Sequence, residues 1–241
     1  RQLNRYVRGR VTELLESQRL VELRTLELQK LSGELLRVQD EERRRMARTL
    51  HDELGQELVA LKLELDSATG SEFKGNRNLI QATELASSAL QKVRNMSYLL
   101  HPPLLDESGL LPALHWYFEG LQSRGQLRIT FEYRPILFPR LPREIETAIF
   151  RVIQESLTNI YRHAETQDAR IELIQETDSV TLRVRDFGRG IPDLKFGTGI
   201  APGVGISGMK ERVKQLNGEL RISRAEPGTL VHATIPTLEQ V

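Results

Sequence analysis

The spacing of apolar residues changes character near residue 104, and the chain divides there. Before that point leucines and other apolar residues recur every three or four positions; after it, short alternating stretches are interleaved with amphipathic ones. Residues 3 to about 67 contain no proline and only Gly9, Gly33 and Gly55, and they are rich in Leu, Glu, Arg and Gln, so they predict one long helix. At roughly 1.5 Å per residue it would approach 100 Å, a length that needs a partner helix. Leu28, Leu31, Leu35 and Val38 follow a 3-4-3 spacing, the seam of a parallel coiled coil, while Leu54, Leu58, Leu61 and Leu65 follow 4-3-4. The two seams do not share one heptad phase. The charged run DEERRR at residues 40–45 lies between them, and reads either as a solvated face or as a phase break where helix rotation is cheap.

Residues 68–76, ATGSEFKGN, read as the turn of a helical hairpin. A second helix follows, with Leu79, Ala82, Ala86, Ala89, Val93, Met96 and Leu100 at alternating spacings of three and four. It should end at His101, because the residue before a proline is pushed out of the α region. Two helices cannot enclose a core but two hairpins can, so a homodimer joined through a four-helix bundle is expected. Beyond the boundary PPLLDESG, residues 110–121 predict a short helix, 127–133 a strand and 141–164 a long amphipathic helix opened by Pro142. Residues 169–175 and 179–186 predict a hairpin, 188–205 a Gly/Pro-rich loop, 206–217 a helix, and 219–223 and 230–235 two last strands. That order predicts an α+β domain, an α/β sandwich with helices on one face of a largely antiparallel sheet. The expected organisation is a coiled-coil helix over 1–39, a helical domain over 40–104 and the α/β domain over 108–241.

Composition narrows the functions available. The 241 residues carry a net charge of +1 with 28% charged residues of both signs interleaved, so no basic field marks a nucleic-acid binder. Without cysteine there are no disulfides, no thiolate catalysis and no Cys-ligated zinc, which fits a bacterial cytosol. No apolar run reaches the roughly 18 residues that span a bilayer, and no signal peptide opens the chain, so a cytoplasmic fragment without direct membrane contact is expected. Because it starts at Arg1 inside a helical pattern, an upstream portion is expected to be missing.

Three patterns point to chemistry. HDELGQ at residues 51–56 places His51 next to Asp52 on a helix; such pairs also arise by chance, in which case His51 is an ordinary surface histidine. On the helix over 141–164, Glu155, Asn159 and His163 stack at i, i+4 and i+8, away from the apolar face of Ile149, Ile153, Leu157 and Ile160. An acid and an amide so placed can hold Mg²⁺ with its waters, or form a plain polar stripe. The strand over 179–186 alternates so that Asp186 points inward with Val180, Leu182 and Val184, where a carboxylate needs a donor such as an adenine amino group. Gly188 and Gly190 follow it. The GxGxxG at Gly203, Gly205 and Gly208 is preceded by a loop rather than a strand, so it reads as a mobile loop entering a helix, whose start favours phosphates, and not as a dinucleotide fingerprint. Thr229, after Gly228, is a small hydroxyl residue at the edge of such a pocket.

Taken in this order, the asparagine helix, the DxGxG beginning at Asp186, the Gly-rich loop and the GT before a terminal strand resemble the ATP-binding domain shared by histidine kinases, gyrase-type ATPases, Hsp90 and MutL. HDELGQ, preceded by EERRRMARTL and followed by LLHPPLLDESGL, resembles the dimerisation and phosphotransfer domain of bacterial two-component sensor kinases, in the subgroup whose acceptor motif reads HDxxGQ. The resemblance covers about residues 39–236, and the segment before it is similar to a signalling helix. It implies that His51 is the phosphoacceptor, Asp52 the base, with Glu53 beside it as the other candidate, and Gln56 the residue that positions a water for dephosphorylating the partner. It further implies that Asn159 and Glu155 serve Mg²⁺, that Asp186 binds adenine, and that His163, Gly188, Gly190, Gly203, Gly205, Gly208 and Thr229 belong to the ATP pocket. The implied partner is a response-regulator receiver domain with a helix-turn-helix output. Phe187 departs from the family's usual small polar residue. The rival to an active kinase is an ATP-binding regulatory scaffold with little kinase activity.

Overall fold

In the computed structural model, which describes residues 2–70, 76–191 and 204–237, the chain divides into two units, Arg1–Gln39 and Asp40–Val241. The first unit is helical throughout and forms the beginning of α1 (Gln2–Thr49). Its seam residues Leu28, Leu31, Leu35 and Val38 are each more than half exposed in the single chain.

In the second unit the helix continues but changes its hydrogen bonding. Leu50–Leu54 form a π turn, closed by a bond from the Gly55 N–H to the Leu50 carbonyl, before α2 (Gly55–Gly70) resumes. The expected helical hairpin is present; its first arm stays helical through Gly70, and residues 71–75 of the expected turn lie outside the described residues. α3 (Arg77–Leu100) starts where the Asn76 side chain accepts a bond of 3.0 Å from the Asn78 N–H, a cap that satisfies one of the free donors of the first turn. It ends at His101, extended before Pro102 as the sequence requires. The buried Ser97 hydroxyl donates to the Ala47 carbonyl at 2.8 Å and fastens α3 to α1. The stretch read as a bare boundary contains a short helix, α4 (Pro103–Glu107): proline suits the first helical position, where its missing N–H costs nothing, and Leu105 is buried.

The remainder builds a layered domain. α5 (Leu110–Ser123) buries Leu110, Ala113, Leu114, Tyr117 and Phe118 at helical spacing. After β1 (Arg128–Arg134) comes α6 (Arg143–Asn159), then β2 (Asp168–Gln175), β3 (Ser179–Asp186), α7 (Val204–Gln215), β4 (Glu219–Arg224) and β5 (Thr229–Pro236). The sheet order is β1-β2-β3-β5-β4, with β1 and β2 parallel and every other pair antiparallel. Leu173 of β2 pairs with Leu182 of β3, which pairs with Ala233 of β5, and these three are buried together. Alternation places Ile171, Val180, Val184, Val231 and Ile235 on that same face, where α5, α6 and α7 supply Phe118, Ile149, Ile153, Leu157, Met209 and Val213 to a shared core. Glu146, buried in α6, is held by Arg140 at 3.0 Å and by the Leu141 N–H at 3.3 Å. Several boundaries differ from expectation. α6 stops at Asn159 and its final turn, Ile160–Ala164, is a π turn ended by the left-handed Glu165; α7 begins at Val204, two residues early.

Candidate active site

A cavity of about 150 Å³ opens where α6, its π turn, β3, α7 and β5 meet. Asn159, His163, Asp186, Gly190 and Thr229 line it together, although they come from three separate stretches of chain. Apolar Ile160, Val184, Ile206 and Met209, with Ile191, Ile222 and Val231, supply most of the remaining wall, a lining suited to a flat base with a few polar contacts. None of them was read as a pocket residue from the sequence, because each also reads as ordinary core.

Asp186 ends β3 on the buried face and is 5% exposed. Its Oδ1 accepts the Gly188 N–H at 2.9 Å, which satisfies part of a carboxylate that would otherwise lose solvation without return. Gly228, with φ of 99°, runs so close behind it that a Cβ there would sit 2.0 Å from the Asp186 carbonyl oxygen, so the turn before β5 admits only glycine. The first turn of α7 also runs close to α6: a Cβ on Gly205 would lie 1.8 Å from Glu155 Oε1, so the Glu155 side chain would have to move aside. Glu155, Gly188, Gly205 and Gly208 are not among the residues that line the cavity, and Gly203 lies outside the described residues. Glu155 and Asn159 share a helical row as expected. His163 reaches the cavity from the π turn, which has more residues per turn than the α period assumed for the row.

One turn before Glu155, the same row holds Arg151, which is 4% exposed. Its Nε donates to Asp40 Oδ1 at 3.0 Å, Nη2 to the Leu100 carbonyl at 2.7 Å and Nη1 to Gln154 Oε1 at 2.7 Å. Gln154 in turn donates to the Leu99 carbonyl at 3.1 Å, and Arg212 of α7 donates to the other oxygen of Asp40. Burial, with Arg43 nearby, lowers the Arg151 pKa to about 10, which leaves it charged at neutral pH. Asp40 therefore ties α6 and α7 to the hairpin, a role hidden in the sequence by its place in a charged run.

His51 is half-buried in the π turn, and Asp52, Glu53 and Gln56 are exposed around it. His51 and Asp52 line two hollows. One, of about 120 Å³, also includes Arg48, His101 and Asp106; the other, a groove of about 350 Å³, runs along the hairpin past Gly55, Gln56, Val59 and Leu90. Among the described residues no group of three or more His, Cys, Asp or Glu converges to hold a metal ion, and no helix is long and apolar enough to cross a membrane.

Comparison with known proteins gives two matches to family models. Residues 42–105 match "Histidine kinase", and residues 144–239 match "Histidine kinase-, DNA gyrase B-, and HSP90-like ATPase". The sensor histidine kinase MctS of Rhizobium johnstonii is 30% identical over 214 residues, 87% of this chain and 46% of that protein. The signal transduction histidine-protein kinase/phosphatase DegS of Brevibacillus brevis is 30% identical over 87% of this chain and 55% of its own length. The oxygen sensor histidine kinase NreB of Staphylococcus carnosus is 30% identical over 86% of this chain and 60% of its own length. The chain thus spans about half the length of the curated relatives it matches.

Proposed function

We propose that this chain, which belongs to the bacterial two-component sensor histidine kinases, transfers the γ-phosphoryl group of ATP to His51 and passes it to an aspartate of a response regulator. The observation that carries the reading is that one chain holds both halves of the reaction. A cavity collects Asn159, His163, Asp186 and Thr229, and a helix presents His51 with Asp52 beside it. In this reading residues 1–39 are the signalling helix, 40–104 the dimerisation and phosphotransfer domain, and 108–241 the ATP-binding domain.

Each residue has a distinct task. The Asp186 carboxylate accepts from the adenine amino group, and the apolar wall excludes water from the base. Asn159 offers an amide oxygen and Glu155 a carboxylate nearby, a donor set that suits a Mg²⁺ ion held otherwise by phosphates and water. When bound, that ion neutralises charge on the transferring phosphoryl group. Imidazole is a competent nucleophile when one nitrogen is unprotonated; Asp52 takes the other proton, with Glu53 the next carboxylate available. Gln56, four residues after Asp52 and lining the same groove, holds a water for attack on the regulator's phosphoaspartate, a role in keeping with the kinase/phosphatase name of one relative. The regulator is a receiver domain, with a helix-turn-helix output by the HDxxGQ resemblance. The use of ATP and of a regulator supports a cytoplasmic location, and the exposed leucines of the hairpin support a homodimer.

The test is transfer of label from Mg-[γ-³²P]ATP. The chain should take up acid-labile, base-stable label, and His51→Gln should abolish it. Full labelling of His51→Gln would overturn the assignment. Gln56→Ala should label normally while slowing phosphate loss from the regulator.

A further inference from the structure

His101, at the end of α3, is 2% exposed. Its Nε2 lies 3.4 Å from Asp106 Oδ2 without meeting hydrogen-bonding geometry, and neither ring nitrogen has a hydrogen-bond partner among the described residues. A neutral imidazole always carries one N–H. A buried donor left idle is uncommon in a native fold and calls for an explanation. The ring lines the hollow of about 120 Å³ whose walls also include Arg48, His51, Asp52 and Asp106.

Arg48 sits three residues before His51. Its side chain is 54% exposed and reaches Asp106 Oδ2 only at 3.3 Å, whereas Arg44 holds that oxygen at 2.6 Å. Arg48 can leave Asp106 without stranding the carboxylate, which also has Arg143 at 3.5 Å from its other oxygen. Around the ring and Asp106 stand Arg44 and Arg48 from α1, Asp52 from the π turn, Asp106 and Glu107 from α4, and Arg143 and Arg151 from α6, the last paired with Asp40. With His101 neutral these charges nearly cancel, so a phosphoryl group arriving in the hollow would bring negative charge with nothing to offset it.

We propose that His101 and Arg48 form the wall that receives the phosphoryl group once it is carried on His51, with His101 donating its idle N–H to a phosphoryl oxygen and Arg48 turning from Asp106 to the same group. The proposal rests on His51 being the phosphoacceptor. A phosphoryl group brings close to two negative charges and three strong acceptor oxygens, which form short, charge-assisted bonds with such donors. Burial lowers the His101 pKa, which favours its uncharged form before transfer and weakens its pairing with Asp106; the arriving dianion would favour the protonated form. Arg44 meanwhile continues to hold Asp106.

The measurement is the equilibrium between Mg-ATP and phospho-His51, read as labelled fraction at fixed ATP/ADP ratios on the purified chain. His101→Leu should shift that equilibrium toward ATP by about tenfold, the loss of one charge-assisted hydrogen bond. His101→Gln, which can still donate, should recover most of the loss, and Arg48→Gln should resemble His101→Leu. Calorimetric affinity for ATP should be unchanged in all three. In the unsubstituted chain the His101 imidazole, followed by NMR, should titrate at higher pH after phosphorylation than before, a signature that a purely structural histidine would not give. An unchanged equilibrium in His101→Leu, or a Gln variant no better than Leu, overturns the wall and leaves His51 standing. If His101→Leu does not fold, Arg48→Gln and the NMR titration decide alone. Absence of acid-labile label on the unsubstituted chain overturns both the wall and the phosphoacceptor.

Discussion

Asp186 and His101 are buried polar residues with opposite needs. Asp186 already has one donor, and a bound adenine would provide another, so Asp186→Asn should keep the Gly188 bond yet weaken ATP binding by about tenfold, ~1.4 kcal/mol. Calorimetry checks this, and unchanged affinity would move the base elsewhere. His101 has a pKa lowered first by burial, with Arg151 and Arg44 acting in the same direction and Asp106 opposing them. The unfolded chain then holds the proton at higher pH than the folded one. Stability from this residue is therefore full above its ordinary value of about 6.5 and falls as pH drops through it. Melting temperature should decline on acidification across that range, and His101→Gln should flatten the decline; parallel slopes would mean that His101 does not contribute. Asp186 was legible from strand alternation alone. His101 was legible only as the stop before two prolines, because nothing local says that α4 folds back to enclose it.

Elements were legible where a single period runs unbroken. α3, α5, β2 and β3 follow their spacings closely, whereas the π turns at Leu50–Leu54 and Ile160–Ala164 were not legible. A π turn takes in one extra residue per turn and carries no residue signature of its own. Nor was the tie between Asp40 and Arg151, which are 111 residues apart. That tie should be energetic as well as geometric. Asp40→Ala leaves Arg151 buried without its carboxylate and should cost about 3–5 kcal/mol, whereas Arg151→Met in the same background should restore part of the loss, since an apolar chain needs no partner there. Denaturant unfolding of the single and double variants checks the coupling, and additive losses would mean the pair is incidental.

The whole molecule leaves much apolar surface on its helices. Leu54, Leu61, Leu63 and Leu85 are between 43% and 71% exposed, while the ATP-binding layers hide nearly all of their core. Leu61→Glu should convert a dimer to a monomer in sedimentation equilibrium while ATP still binds, because the cavity draws on none of the helices of the hairpin. A dimer that survives the substitution would place its contacts on another face. Leu54 and Leu61 belong to the seam visible in the sequence, whereas Leu63 and Leu85 lie off it; the sheet domain that makes its own core was visible too. What sequence could not give was where the two meet, since that junction is made by single polar side chains and by ring contacts rather than by a repeated pattern.

One of those ring contacts lies at the junction itself. Tyr98 of α3 and Trp116 of α5 stack with centroids 3.7 Å apart and planes 21° from parallel. Trp116 is the only tryptophan in the chain. The protein therefore carries its own optical gauge: emission excited at the indole comes from one place, and that place is the seam between hairpin and sheet domain. Any event that parts the two rings, whether nucleotide entry, a turn of the first helix or loss of the Asp40 carboxylate, will register as a change in the intensity and wavelength of that light, with no label added.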